Sequence, residues 1–139
     1  MRHGLRSSLA PLMAPLLLGM SVFAVSAELP EQMRVTPLLR DTIDGVLEKV
    51  VVMSRVSIPP NTQLPWHWHP GEEFFYVLEG EITLLQKDLP DLVNRKGDAD
   101  KVPARAIHTG RSGPSGVTLL ITRTLDKDQP ERILVNEGE

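Results

Sequence analysis

The sequence predicts an all-β domain, folded as a sandwich or a small barrel, and three observations support that class. Residues 46–58 and 117–125 are apolar runs, rich in valine, leucine and isoleucine, that show no helical period. Clusters of Gly, Pro, Asp and Asn separate such runs along the chain. No segment beyond residue 30 gives a convincing amphipathic helix. A closed barrel would bring inward side chains from distant parts of the sequence together.

Composition limits the classes of function. The chain has 139 residues, enough for one domain whose core needs no disulfide or other staple. Its net charge is -3 and its Lys and Arg residues are scattered, which argues against binding to nucleic acid or to an anionic membrane. The chain contains no cysteine, so a disulfide framework is excluded. We therefore expect a small molecule as the partner.

Residues 1–27 are predicted to be a secretory signal peptide. Arg2 and Arg6 precede an uncharged apolar stretch, and small residues at 25 and 27 suit cleavage before Glu28. The stretch is short and contains two prolines, so a stable membrane anchor is not expected. The leader carries two of the 15 basic residues and none of the 18 acidic ones, which leaves a net charge of about -5 on the domain. That domain, residues 28–139, is expected to be periplasmic or secreted.

Taken in order, the domain begins with a short strand over residues 35–40, where Pro37 suits a sheet edge. The next strand, residues 46–58, presents alternate side chains to one face and ends at Pro59 and Pro60. Residues 63–69 and 73–78 are predicted to be a strand pair joined at Pro70 and Gly71, followed by a tight hairpin at Gly80. Residues 88–97 are predicted to be a loop or a weak strand around 92–93. The remaining prediction is strands at 99–102 and 107–109, a loop at 110–116, and strands at 117–125 and 133–135.

Residues 66–80 hold the strongest chemical signal. In an extended strand His67 and His69 share one face, while Trp66 and Trp68 take the other. Glu73 follows past the Pro-Gly turn and can face the same way. Imidazole nitrogen and carboxylate oxygen together suit a divalent first-row metal. The domain has one more histidine, His108, which closure of a barrel could bring to the same ion.

These residues resemble the two signatures of the cupin superfamily. The first signature is a glycine, five residues, His-x-His, three or four residues, a glutamate, six residues and a glycine. Here it is met by His67, His69, Glu73 and Gly80. Asn61 stands at the opening glycine, a mild change because asparagine tolerates a left-handed backbone.

The second signature is met by Gly97, Pro103 and His108, whereas Arg105 replaces its middle glycine and Ser112 its final asparagine. The resemblance implies a double-stranded β-helix, or jelly-roll, barrel that is often a homodimer. It also implies that one metal ion is bound by four residues of this chain: His67, His69, Glu73 and His108.

Neighbouring residues divide by face. Glu72 should point away from Glu73, toward solvent, while Phe75 and Val77 share the face of Glu73 and should wall the cavity. The aromatic residues Trp66, Trp68, Phe74 and Tyr76 are expected to pack on the opposite faces. Two arginines stand in otherwise apolar strands and either could point inward to hold a substrate carboxylate: Arg55 and Arg123.

Four protein ligands would leave about two positions open on a six-coordinate metal, which suits catalysis. With iron or manganese, the expected activity is a dioxygenase acting on a small oxygenated molecule. With zinc or nickel, the metal would act as a Lewis acid in isomerase or lyase chemistry. A periplasmic module that binds a small ligand without catalysis is the remaining alternative.

Overall fold

The computed structural model describes residues 30 and 32–135. The predicted leader, its cleavage site and the exact domain boundaries fall outside these residues. Within the described part every regular element is a β-strand. This part of the chain includes no helix long and apolar enough to cross a membrane. The eight strands are β1 (Arg34–Ile43), β2 (Val46–Ile58), β3 (His67–Trp68), β4 (Glu73–Gln86), β5 (Leu92–Arg95), β6 (Ala99–Val102), β7 (His108–Asp126) and β8 (Ile133–Leu134).

All eight strands belong to one antiparallel sheet that curls into a barrel, which confirms the predicted all-β class. The longest strand, β7, is its centre. Its second half pairs with β2 along one edge and with β4 along the other, and its first residue, His108, pairs with β3. The strand β4 also pairs with β5 and β6, and β1 pairs with β2. The curl turns one face of the long strands inward.

The inward face of β2 carries the alternation that the sequence predicts. Every second residue from Val50 to Ile58 is buried, because successive side chains of a strand point to opposite faces. Val56 and Ile58 pack in the main core with inward residues of β4 and β7, whereas Val50 and Val52 form a second cluster with Leu125. Burying each such aliphatic side chain contributes roughly 1.5–3 kcal/mol, so the core rather than any single contact stabilises the barrel. The core cluster around the cavity includes Val56, Ile58, Phe75, Val77, Leu119 and Ile121.

The predicted pairing of residues 63–69 with residues 73–78 is wrong. The first of these segments contributes only the two-residue strand β3, which pairs with β7 and β8 and not with β4. Pro65 and Pro70 flank this strand, and neither residue has an N–H to donate to a ladder. Glu73 therefore reaches His67 and His69 from a strand that is not hydrogen-bonded to β3.

The predicted hairpin at Gly80 and the predicted loop at 110–116 are also wrong, since β4 and β7 run through both segments. Gly80 and Gly116 have φ of 76° and 75°, and the β4 register shifts on both sides of Gly80. A Cβ at Gly80 would lie 2.1 Å from the carbonyl oxygen of Gly116. Glycine here permits a bulge and a close backbone approach rather than a chain reversal.

We predict that Gly80→Ala destabilises the protein more than Gly45→Ala does. Both residues have a positive φ, of 76° and 78°, so both substitutions carry the left-handed strain of about 1–2 kcal/mol. Only at Gly80 does the new methyl group overlap fixed backbone, whereas nothing lies within 4 Å at Gly45. The overlap should add about 1–3 kcal/mol to the loss of unfolding free energy.

Urea denaturation followed by circular dichroism measures this difference. Equal midpoints for the two variants would contradict the close approach at Gly80.

Candidate metal centre

Three histidines lie together at one end of the barrel. Antiparallel pairing places His67 of β3 opposite His108 of β7, and opposed residues share a face. His69, two residues beyond His67, takes the same face. All three side chains are buried, and their ligand atoms lie within 4.8 Å of one another. The structure thus gathers the three histidines that the sequence predicts, although His108 is 39 positions beyond His69.

Each imidazole is oriented by a hydrogen bond from its Nδ1 to a backbone carbonyl. A carbonyl oxygen can only accept, so every Nδ1 carries the proton and every Nε2 of a neutral ring keeps its lone pair. This arrangement fixes the ring and the tautomer that a metal requires. The three bonds are His67 to Pro65 at 2.7 Å, His108 to Ala106 at 2.9 Å, and His69 to Glu131 at 2.5 Å.

Burial keeps two of these rings uncharged. Desolvation, and then the nearby His108, lower the pKa of His67 to about 3. Burial likewise lowers the pKa of His108. Both rings are therefore neutral near pH 7, and a neutral imidazole is the form that binds a metal.

Glu73 stands beside the histidines as an ionised carboxylate. Its side chain is buried at the start of β4, directly across the ladder from Arg123 of β7. Its Oε2 accepts a hydrogen bond from Nε of Arg123 at 2.7 Å and lies 2.6 Å from Nη2 of the same guanidinium. Burial acts to raise the pKa of Glu73, but Arg123 and then His69 outweigh it and hold that pKa below its usual range.

The contact between His69 and Glu73 suits a bound cation. Nε2 of His69 is buried without a hydrogen-bond partner among the described residues, yet it lies 3.0 Å from Oε2 of Glu73. With the proton of a neutral ring on Nδ1, two electron-pair donors face each other, which is unfavourable unless a proton or a metal ion neutralises them. Neighbouring ligands of an octahedral ion with bonds near 2.0–2.1 Å are about 2.9 Å apart. The donor set therefore fits a divalent metal.

A cavity of about 210 Å³ opens from this centre into the barrel. Its polar end is formed by His67, Glu73, His108 and Arg123, together with two residues of the segment that precedes β8, Glu131 and Arg132. The rest of the wall is apolar and includes Val56, Ile58, Phe75, Leu84, Leu119 and Ile121. Such a space suits a small molecule with one polar and one apolar end.

Side chains next to the site residues point either into the barrel or outward to solvent. Glu72 points outward and forms a 2.9 Å ion pair with Lys101, as predicted. Phe75 lines the cavity, and Val77 is buried in the core on the same face. Of the two strand arginines, Arg123 points inward and Arg55 is exposed. The aromatic residues on the opposite faces are partly buried at Trp66 and Trp68 and exposed at Phe74 and Tyr76.

Sequence reasoning missed Glu131 and Arg132, which come just before the predicted strand at 133–135. Both reach the site because β8 pairs with β3, with Ile133 opposite Trp68. The predicted strand at 133–135 was the available signal, since residues just before a strand lie beside its partner's end. The partner itself could not be read from the sequence.

The three departures from the cupin signatures preserve the local backbone. Asn61 and Arg105 stand at positions of signature glycines and have φ of 51° and 65°, the conformation that glycine favours. Arg105 also donates its N–H to the carbonyl of His69 at 2.9 Å. Ser112, at the position of the signature asparagine, is buried and hydrogen-bonded to Pro59 and Thr62.

Comparisons with known proteins agree with this geometry. The family described as Cupin domain matches residues 54–120. The chain is 37% identical over 67 residues to 3-hydroxyanthranilate 3,4-dioxygenase of Rattus norvegicus, which covers 46% of this chain and 23% of that enzyme. The chain therefore spans about a quarter of the length of this curated relative.

Two solved structures share the fold. The DMSP lyase of Ruegeria pomeroyi superposes with a TM-score of 0.63 at 23% identity, covering 77% of this chain and 54% of the lyase. A cupin-like protein of Thermotoga maritima superposes with a TM-score of 0.60 at 22% identity, covering 75% of this chain and 76% of that one. The family match, with both signatures inside or beside it, shows that residues 54–120 belong to a cupin domain, and the solved structures share its fold.

Proposed function

We propose that this protein is a metal-dependent enzyme of the cupin type, with dioxygenase activity on a small oxygenated substrate. The observation that carries the proposal is the set of three buried imidazoles, each held by a carbonyl so that its Nε2 faces a shared space at the cavity end. A structural zinc site would be closed by four ligands, whereas these donors border a cavity that a substrate can enter.

Glu73 is proposed as the fourth ligand beside His67, His69 and His108. Its Oε2 lies 3.0 Å from Nε2 of His69, a separation that suits two ligands of one ion, and the guanidinium of Arg123 beside it keeps the carboxylate ionised. A bound iron or manganese ion would supply activation of dioxygen, while zinc or nickel would supply a Lewis acid. The protein side of the site supplies neutral nitrogen donors, one anionic oxygen and a largely apolar wall.

The charged groups favour oxidation over isomerase or lyase chemistry. Isomerase and lyase reactions commonly need a general base that is free to take a proton from the substrate. The two carboxylates that line the cavity, Glu73 and Glu131, are both bound by Arg123. Oxidation by dioxygen makes less demand on a side-chain base. The similarity to a dioxygenase over 67 residues supports the same choice.

The proposal includes a location outside the cytoplasm. Residues 1–27 have the charge and apolar pattern of a secretory leader. Export in the unfolded state would let the site acquire its metal after folding.

We predict that replacing His67, His69 or His108 by Ala abolishes metal retention and oxygen consumption together, because each variant loses one neutral nitrogen donor. Protein purified from its native compartment is analysed for metal by mass spectrometry. It is then loaded with Fe(II) and screened with an oxygen electrode against catechols, enols, keto acids and 3-hydroxyanthranilate. The wild type should consume oxygen with at least one of these classes, and only when it holds metal.

Arg55→Gln serves as the control, since Arg55 is exposed on the outer face of β2 and should leave both readouts unchanged. Turnover that survives metal removal would refute the proposal, and so would a wild-type protein that retains no metal.

A comparison of Glu73→Gln with Glu79→Gln tests the fourth ligand. Both glutamates lie in β4, but Glu79 is exposed and paired with Lys96, away from the histidines. Loss of the anionic oxygen at Glu73 should weaken metal binding about tenfold to a hundredfold, whereas the change at Glu79 should have no effect. Competition with a chromophoric chelator measures the affinity, on samples whose folded fraction is determined by circular dichroism. Equal affinities in the two variants would exclude Glu73 as a ligand.

The metal-free protein should lose stability as the pH falls below about 6.5. The pKa of His67 lies at about 3 in the folded protein and near 6.5 in the unfolded chain, so the unfolded chain takes up the proton first. The resulting loss spans the window between these two values. Between about pH 6.5 and about pH 4.5 it should reach about 2 kcal/mol.

Urea denaturation of the metal-free wild type and of His67→Asn across this window measures the difference. The variant lacks the titrating ring, so its unfolding free energy should fall less steeply with pH. Parallel curves would show that His67 is not protected from protonation in the folded protein.

A further inference from the structure

The side chain of Arg132 is the charged group of the cavity that the proposed function has not used. Arg132 immediately precedes β8, in which Ile133 pairs with Trp68 and Leu134 with His67. The next position of this antiparallel register lies opposite His69, and opposed residues share a face. The residue is accordingly half-buried and lines the cavity together with His67 and Glu73.

Among the residues that the structure describes, Arg132 has no carboxylate partner, whereas its neighbour Arg123 has two. Arg123 is held by Glu73 and by Glu131, at 2.6 and 3.3 Å. Within the described residues, no ion pair or side-chain hydrogen bond reaches the guanidinium of Arg132. Burial, and then the positive charge of Arg123, lower the pKa of Arg132, and the opposing effect of Glu73 is smaller than these two.

The charges around the cavity sum to an excess of positive charge once a metal is bound. Glu73 and Glu131 offset Arg123 and Arg132, and the three imidazoles contribute nothing when neutral. A divalent ion would then leave a net charge of +2. A half-buried excess of this kind favours an anionic ligand, because solvent screens it less than it screens a surface charge.

We propose that Arg132 binds the carboxylate of the substrate, so that the cavity selects a small monocarboxylate with an apolar body. This inference rests on the proposed function and specifies its substrate class. The planar guanidinium presents paired N–H donors that match a carboxylate. The apolar wall formed by Val56, Phe75, Leu119 and Ile121 receives the remainder of the molecule.

Cavity size limits that remainder. The volume of about 210 Å³ is below the roughly 300–1,000 Å³ of sites that take drug-sized ligands. An apolar cavity of roughly 150 Å³ is sufficient for a benzene ring. The substrate is therefore a single-ring or short-chain acid.

The test measures binding to the zinc-loaded protein, so that it does not require turnover. The probes are benzoate and phenylacetate, each compared with its primary amide, which has a similar shape but no charge. Affinities are determined by ligand-observed NMR for the wild type, Arg132→Gln, Arg132→Lys and Arg55→Gln. Zinc content and circular dichroism of the same samples establish that each variant is loaded and folded.

At least one carboxylate should bind the wild type about tenfold or more tightly than its amide does. Arg132→Gln should weaken carboxylate binding about tenfold to a hundredfold, the usual effect of losing hydrogen bonds to a charged group. The carboxylate affinity of Arg132→Lys should lie between those of the wild type and Arg132→Gln, because lysine keeps the charge but lacks the paired donors. Arg55→Gln should bind as the wild type does, since its guanidinium points away from the cavity.

Equal affinity for the acids and their amides would overturn the inference, as would unchanged carboxylate binding in Arg132→Gln. A failure of both acids to bind at about 10 mM would also overturn it. In each of these cases retained zinc would leave the proposed function standing. Loss of zinc from the wild type would instead refute the proposed function itself.

Discussion

The antiparallel pairing of His67 with His108 is the contact on which the candidate metal centre depends. It joins a strand of only two residues to the longest strand of the barrel. Because side chains alternate across a strand, a slip of one residue would turn His67 and His69 out of the cavity together. Pro65 and Pro70 restrict the ladder to this short segment, so few other registers are available. The short strand thus determines which face of the histidine pair meets the cavity.

The strand β7 also supplies the charge that balances the centre. His108 begins this strand, and Arg123 lies near its end, opposite Glu73 of β4. The two cross-strand pairings therefore place a neutral nitrogen donor and a buried ion pair at the same end of the barrel. Arg123 keeps Glu73 ionised in a buried position where a lone carboxylate would take up a proton. The strands β3 and β4 meet here because each of them pairs with β7.

Local signals in the sequence were sufficient for part of this arrangement. The alternation in β2 and the shared face of His67 and His69 follow from the two-residue period of a strand, and the structure has both. Glycine predicted the ends of strands less well, because it permits a bulge as readily as a turn, as Gly80 shows. The cavity position of Arg132 could not be predicted, because it depends on which strand β8 meets. Such pairing is a property of the whole fold.

The hydrogen bond from His69 to the carbonyl of Glu131 ties a metal-binding side chain to the segment that leads into the last described strand. Anything that orders that segment also orients the imidazole, and by thermodynamic reciprocity a bound ion must order the segment. Residues 131–134 would then be held more firmly when the ion is bound and less firmly when it is released. Resistance of this region to proteolysis would accordingly report how much of the protein carries its ion.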